Sequence, residues 1–127
     1  SSVRGKDPDI NALASKDAKS VTVMVWNYHD DNIITGPSDV EISISGIPAS
    51  RATVEHYRID QQFSNSFTAW NSMGKPQKPT SAQYAELEAA GKLKQLSVTG
   101  TTAVNQGKAT ISFQLPRQGV SLLKLTW

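Results

Sequence analysis

The stretch VTVMVWNY, from Val21 to Tyr28, decides the fold class of this 127-residue chain. It is rich in β-branched and aromatic residues, and apolar side chains occupy both of its alternating faces. This pattern is typical of a strand that lies inside a sheet and is covered on both sides. The stretch therefore predicts a central strand in a mainly β protein.

Further strands are predicted on both sides of this stretch. In the segment 39–46, Val40, Ile42 and Ile44 alternate with polar residues, which is typical of a half-exposed strand. Similar runs, separated by turn residues, recur along the chain. They predict strands at 10–15, 52–60, 108–115 and 120–127, and one more within 93–104. The length of the chain is that of a single domain over residues 1–127.

One segment, about residues 65–91, departs from the β pattern. Thr80 and Gln83 match a capping box ahead of helix-forming residues, and Gly91 is expected to cap the C-terminus of the same helix. A second short helix is predicted upstream, at 65–73. The segment therefore reads as a helix-loop-helix inserted between strands of a sheet.

Composition limits the classes of function. The chain has no cysteine, which excludes disulfides and thiolate metal sites. Its net charge is only +2 and the basic residues are scattered, so no nucleic-acid partner is predicted. No apolar run approaches the ~20 residues that cross a bilayer, and no membrane partner is predicted. No cofactor is predicted either.

Four potential ligands follow the central strand: His29, Asp30, Asp31 and Asn32. Hard oxygen atoms of this kind suit calcium, but the spacing is not that of an EF-hand loop. Adjacent residues on an extended chain also point in different directions. We therefore favour a solvated or substrate-facing loop over a metal site, and no metal site is predicted.

A second polar group lies on the strand predicted at 52–60. His56, Arg58 and Asp60 are spaced by two residues, so their side chains adjoin on one face of that strand. The group could form a polar network or a small acid/base cluster. The favoured interpretation is an ion-paired surface, under the helices or against a neighbouring domain.

Aromatic side chains offer a further kind of site. A platform of exposed rings stacks on sugars, whereas buried rings fill a core, and buried rings are the commoner case. We favour the core interpretation for the five aromatic residues that this choice concerns. They are Trp26, Tyr28, Tyr57, Phe67 and Trp70.

No catalytic residue is predicted. Glycoside hydrolysis needs two carboxyl groups that flank the scissile bond, about 5 to 10 Å apart. The predicted strands and helices place four glutamates on their surfaces, and none of the four is expected to lie beside a second carboxyl group in this way. They are Glu41, Glu55, Glu86 and Glu88. With two histidines and no nucleophile elbow, a Ser-His-Asp arrangement is not supported either.

Several segments together resemble a known family. They are VWNYHDD (25–31), HYRID (56–60), the irregular stretch from Trp70 to Tyr84, and LPRQGVSLLKL (115–125). In these segments the chain resembles the C-terminal β-sandwich region of glycoside hydrolase family 39, which holds β-xylosidases and α-L-iduronidases. The resemblance implies an antiparallel β-sandwich with an inserted helix-loop-helix.

The resemblance also implies a role. Enzymes of this family carry two catalytic glutamates on a barrel, the acid/base one directly after an Asn; this chain has no Asn-Glu pair and lacks the segments that bear them. The chain is thus expected to be a non-catalytic accessory domain that packs on the catalytic barrel of its parent chain. The loop from His29 to Pro37 is expected at the substrate rim, so that contact with the carbohydrate is indirect. A secreted or periplasmic location is favoured.

Two further expectations follow. If a barrel packs on this domain, the chain alone should expose an apolar patch that includes Met24, Trp26 and Tyr28. The alternative function is an autonomous carbohydrate-binding module that binds sugar on exposed aromatic side chains.

Overall fold

The computed structural model describes residues 7–30 and 33–127, and this part of the chain folds as strands with two helices between the fourth and fifth strands. The elements in chain order are β1 (Ile10–Lys16), β2 (Ser20–Asn27), β3 (Ser38–Ile44), β4 (Arg51–Ile59), α1 (Ser66–Ser72), α2 (Ser81–Gly91), β5 (Lys94–Gln95), β6 (Gly100–Ala103), β7 (Ala109–Leu115) and β8 (Val120–Thr126).

Two antiparallel sheets form the fold. In the main sheet the order is β1-β2-β8-β4, and both β5 and β6 pair with the far edge of β4. The second sheet consists of β3 and β7. The predicted mainly β fold with antiparallel sheets and an inserted helix-loop-helix is confirmed. The single strand expected within 93–104 is two short strands, β5 and β6.

The core lies between the two sheets. Val21, Val23 and Val25 of β2 point inward, beside Leu123 and Leu125 of β8. The second sheet contributes from the other side the buried residues Val40, Ala109 and Leu115, and Ile42, Ile111 and Phe113 pack against them in half-buried positions. The inward alternation predicted for the segment 39–46 is thus confirmed.

The opposite face of the main sheet is also apolar, and it is open. Met24 of β2 is 38% exposed, and its register partners are Leu13 of β1 and Leu122 of β8. The expectation that the β2 segment is covered on both sides is therefore wrong for this chain by itself. We call this surface the outer sheet face; it comprises Leu13, Met24, Trp26, Tyr57, Ile59, Val120 and Leu122.

The capping box of α2 is confirmed. The Gln83 backbone N–H donates to Thr80 Oγ1 at 3.2 Å, and the Thr80 N–H donates to Gln83 Oε1 at 2.9 Å. These two bonds satisfy donors that the first turn of a helix leaves open. The second predicted helix is confirmed as α1, with Asn65 as its N-cap.

Gly91 has a different role from the predicted one. It is the last residue of α2, Lys92 is the cap, and Gly91 does not adopt the left-handed conformation of a glycine cap. A Cβ atom at this position would lie 2.5 Å from Ser66 Oγ at the start of α1. Ser66 Oγ is held there, since it donates to the Leu87 carbonyl at 2.7 Å. A glycine is needed because the two helices approach each other closely.

Neither helix buries a residue. The helices contact each other. Two side chains just before α1 bond to backbone carbonyls at and just after the end of β4: Ser64 Oγ donates to the Arg58 carbonyl and Asn65 Nδ2 to the Asp60 carbonyl. Among the described residues, no helix is both long enough and apolar enough to cross a membrane.

Candidate functional site

Three loops meet at one end of the sandwich. The connection that follows β2 contributes residues 33–35, the turn after β4 contributes 60–62, and the turn between β7 and β8 contributes 116–118. Together they line a cleft of about 320 Å³. This volume lies at the lower end of the range of ligand sites, about 300 to 1,000 Å³.

Arg58 lies directly behind this cleft. Its side chain is 5% exposed and points between the two sheets. Nε donates to Ser121 Oγ at 3.0 Å, Nη2 donates to the Gln114 carbonyl at 2.8 Å, and Nη1 lies 3.4 Å from Asp60 Oδ2. One guanidinium group thus connects β4 with β8 of the same sheet and with β7 of the other sheet.

Asp60 forms one wall of the cleft. Besides its ion pair with Arg58, its Oδ1 atom accepts hydrogen bonds from the backbone N–H groups of Gln62 at 2.7 Å and Phe63 at 2.8 Å. Both oxygen atoms therefore have partners, Oδ1 within the turn and Oδ2 on Arg58 of β4. This carboxylate fixes the conformation of residues 60–63, and it is poorly placed to transfer protons to a ligand.

His56 extends the same network into the core. Its Nε2 atom lies 2.8 Å from Ser121 Oγ, and its ring meets the ring of Phe113 edge-on at 4.8 Å. Burial, and then the charge of Arg58, lower the pKa of His56 to about 4. The ring is therefore neutral at pH 7. Ser121 Oγ thus bonds both to His56 and to Arg58, whose Nε donates to it.

The structure thus brings His56, Arg58 and Asp60 together, but not as the ion-paired surface that we favoured. The ion pair is present between Arg58 and Asp60, but the surface location is wrong, because His56 and Arg58 are buried between the sheets. Their polar atoms are accommodated there through hydrogen bonds to Ser121 and Gln114 instead of water. The polar-network interpretation fits these contacts.

The loop after β2 is anchored by its first residues. His29 is only 7% exposed, and its Nε2 atom donates to Asn27 Oδ1 at 2.9 Å. The carbonyl of His29 accepts from the Gln118 side chain at 3.3 Å, which ties the loop to the β7–β8 turn. Asp30 is exposed. Asp31 and Asn32 lie outside the described residues.

His29 is the first residue of the loop expected at the substrate rim, and it is buried. Through its contacts with Asn27 and Gln118, His29 positions the start of the loop. In the described part of the chain, no three residues among His, Cys, Asp and Glu are grouped so that they could hold a metal ion.

The aromatic side chains do not form the core. None of the five is buried: Phe67 is 65% exposed, Tyr28 is exposed, and the other three are half-buried. The core interpretation is wrong because valine and leucine side chains already fill the space between the sheets. Phe67 and Trp70 lie 5.8 Å apart with a tilt of 37°, and the Trp70 indole N–H donates to the Pro76 carbonyl.

Sequence reasoning missed three residues of this region: Ser121, Gln61 and Gln62. Ser121 left a readable signal, because it occupies an inward position before Leu123 and Leu125. A polar residue in an inward register indicates an interior partner. Gln61 and Gln62 left none, since glutamines in a turn are common and only the fold places them at the cleft.

Fold and site together define a class: an antiparallel β-sandwich module, with a helical hairpin inserted in one sheet and a buried polar network between the sheets. No family model matches the sequence, and no curated protein does. Solved structures do match.

The first is a GH39 enzyme from Xanthomonas axonopodis pv. citri, with a TM-score of 0.78, 17% identity, and coverage of 91% of this chain and 25% of the other. A monomeric β-xylosidase from Caulobacter crescentus CB15 matches with a TM-score of 0.72, 16% identity, and coverage of 91% and 26%. A bacterial orthologue of human α-L-iduronidase matches with a TM-score of 0.72, 22% identity, and coverage of 92% and 22%. The chain therefore spans about a quarter of these proteins and has the fold of that part.

Proposed function

We propose that this chain is a non-catalytic accessory domain of a retaining glycosidase of the family 39 type, packed on the catalytic barrel of its parent chain. The observation that carries the proposal is the coverage. More than nine tenths of this chain matches family 39 enzymes in fold, but only about a quarter of each enzyme is matched. The short sequence segments that resemble the same family support it independently.

The residues that line the cleft support the non-catalytic part of the proposal. Retaining hydrolysis needs a nucleophile and an acid/base residue, both carboxylic, about 5 Å apart. Among the described residues, the cleft lining contains one carboxyl group, Asp60, and Arg58 and two backbone N–H groups already occupy it. Glu41, Glu86 and Glu88 are exposed elsewhere.

The outer sheet face supports packing on a second domain. Its side chains form two adjacent rows across the strands, Leu13–Met24–Leu122–Tyr57 and Trp26–Val120–Ile59. The next row is polar, with Thr22, Lys124 and Glu55 in register. An apolar patch with a polar border is typical of a surface that another domain covers, and such interfaces bury about 600 to 1,500 Å².

The loop from His29 to Pro37 is our candidate for the substrate rim. His29 and Gln118 hold its start, and Ile33 to Thr35 line the cleft. Asp30 is the exposed polar group at its described beginning. A polar loop on a rigid scaffold is a frequent location of binding residues.

The gene that encodes this chain tests the proposal directly. We expect its reading frame to contain a barrel with two catalytic glutamates, and we expect the 127-residue chain alone to release no product from aryl β-xylosides or iduronides. A gene without such a barrel would refute the accessory role. Turnover by the chain alone, abolished by replacing one of its own glutamates, would refute the non-catalytic role.

A second candidate function is an autonomous carbohydrate-binding module. The exposed Phe67 ring beside the Trp70 ring favours it, because exposed aromatic side chains stack on sugars. Saturable binding of xylo-oligosaccharides that is lost in Phe67→Ala and kept in Tyr28→Ala would support it.

A further inference from the structure

We propose that the cleft at the end of the sandwich binds a pyranose unit of an uncharged oligosaccharide, through the side-chain amides of Gln61 and Gln62. This inference deepens the proposed function, since it names the part of the domain that touches the saccharide. It rests on that function only for the choice of xylose as the test sugar.

The cleft is rigid on two sides, which reduces the entropy lost on binding. Asp60 fixes the turn that carries Gln61 and Gln62 through two backbone hydrogen bonds, and the Thr68 hydroxyl donates to the Gln61 carbonyl. On the other side, the Gln118 N–H donates to the Asn27 carbonyl and the Gly119 N–H to the Pro116 carbonyl, both at 2.9 Å. Hydrogen bonds thus fix the backbone conformation of two of the three walls in the absence of a ligand.

Apart from the cation Arg117, the described side chains that line the cleft are uncharged or, at Asp60, paired with Arg58, which suits a ligand with hydroxyl groups. Gln61 and Gln62 are exposed at the cleft, and each amide offers both donors and an acceptor. The carboxylate of Asp60 is neutralised by Arg58 at 3.4 Å, so this wall presents no unpaired negative charge. A sugar hydroxyl, which both donates and accepts, matches an amide better than an ionised group does.

Apolar side chains complete the lining. Ile33 and Ile34 belong to the loop on one side of the cleft, and Ile34 is 95% exposed. Pro116 lies in the turn on another side. A pyranose ring has a face of C–H groups and an edge of hydroxyl groups, so one ring can use both the isoleucine side and the glutamine side. Ligand sites commonly combine apolar walls with a few polar groups in this way.

Titration of the isotope-labelled chain with xylotriose, followed by amide NMR, tests the inference. We expect saturable shifts, in the millimolar range, confined to residues 33–35, 60–62 and 116–118 and to the side-chain amides of Gln61 and Gln62. The variant Gln61→Ala/Gln62→Ala should weaken binding at least fivefold. Gln77→Ala is the matched control, because Gln77 is exposed in the loop between the helices, and it should bind as the wild type does.

Three results would overturn the location of the site. They are the absence of shifts at the cleft, shifts at Phe67 and Trp70 instead, and a double variant that binds as tightly as the control. Glycerol, which has hydroxyl groups but no ring face, should give no saturable shift. Arg117 also lines the cleft, so tighter binding of a glucuronate-bearing sugar than of xylotriose would overturn the assignment to an uncharged ligand.

The test separates this inference from the proposed function. Both glutamine side chains are outside the outer sheet face, so a failure at the cleft leaves packing on the barrel intact. A gene without a barrel would refute the accessory role but would not alter the titration.

Discussion

Arg58 places a positive charge between two sheets. The fold tolerates this buried charge because Nε, Nη1 and Nη2 of the guanidinium group each donate a hydrogen bond. Its three hydrogen-bonding partners belong to β7, β8 and the turn after β4. Removing one partner from a buried charge pair is typically strongly destabilising, by about 3 to 5 kcal/mol, because the remaining groups stay desolvated and unpaired. Arg58 should therefore be among the most sensitive positions of this domain.

We expect Arg58→Ala to lower the free energy of unfolding by about 3 kcal/mol or more. Arg58→Lys should lower it by about 2 kcal/mol, because one ammonium group cannot reproduce the planar fork that reaches Ser121, Gln114 and Asp60. Urea denaturation at pH 7 measures both. Arg51→Lys, on the exposed start of the same strand, is the control and should stay within about 0.5 kcal/mol of the wild type. An Arg58→Lys variant as stable as this control would show that the guanidinium geometry is unimportant.

The pKa of His56, lowered to about 4 by burial and by Arg58, makes stability depend on pH. Below its ordinary pKa of 6.5, the histidine of the unfolded chain takes up a proton while the folded one stays neutral until about pH 4. Protons therefore favour the unfolded state, and stability falls as the pH drops from 6.5 towards 4. The full shift corresponds to about 3 kcal/mol, and solvent screening reduces the expected loss to about 2 kcal/mol.

The variant His56→Gln tests this, since glutamine can still bond to Ser121 but does not titrate. Urea midpoints at pH 7.5 and pH 5 should differ clearly less in the variant than in the wild type. Arg58 on β4 is the charged group beside His56, whereas β7 and β8 face it with Phe113 and Ser121. Equal pH dependence in the two proteins would assign the effect to other groups.

The spacing of His56, Arg58 and Asp60 was enough to predict that the three side chains adjoin. It was not enough to predict burial, because that depends on which face of β4 meets the second sheet. The pairing of Arg58 with Ser121 decides this, and strand partners far apart in the chain are not encoded in the spacing of one strand. The cleft was not predictable for the same reason, since its three sides come from loops 33–35, 60–62 and 116–118.

Local sequence signals predicted the positions of the helices better than they predicted which strand faces are buried. The Thr80–Gln83 capping box is a bond pattern within four residues, so the sequence alone could predict where α2 begins. Gly91 was misassigned because a glycine at the end of a helix has two explanations, a left-handed cap and a close contact. The second depends on Ser66, a residue of the other helix.

We expect Gly91→Ala to weaken the helical hairpin, although alanine is the better helix former. The new methyl group would displace Ser66 Oγ from the Leu87 carbonyl, which loses a hydrogen bond worth about 1 kcal/mol. Ser66→Ala should lose the same bond. The double variant should then be more stable than the sum of the single effects predicts, by about 1 kcal/mol, because the bond is lost once and the clash is relieved. Additive effects in urea denaturation would contradict close packing at this point.

The domain as a whole has one filled interior and one open apolar face. β2 illustrates this, because its inward valines are buried while Met24 and Trp26 belong to the outer sheet face. The apolar pattern on both faces of VTVMVWNY predicted two covered faces, and among the described residues only the inner face is covered. Exposure of Met24 and Tyr28 confirms the predicted apolar patch.

The outer sheet face yields the prediction that bears most on the role of this domain. Leu13→Lys/Met24→Lys places two charges at neighbouring positions of β1 and β2, where Leu13 is 64% and Met24 38% exposed in the wild type. The variant should therefore stay within about 1 kcal/mol of wild-type stability. If the chain packs on a catalytic barrel as proposed, the variant should bind that barrel, supplied as a separate polypeptide, at least ~10-fold more weakly. Thr126→Lys is the control, because it adds charge on the same face of the main sheet but beyond the apolar rows. It should bind the barrel as the wild type does. Fluorescence of a hydrophobic dye gives a second readout on the isolated domain, and the double variant should enhance it less than the wild type and the control. If the double variant binds the barrel with unchanged affinity, the outer sheet face is not the surface on which the barrel packs.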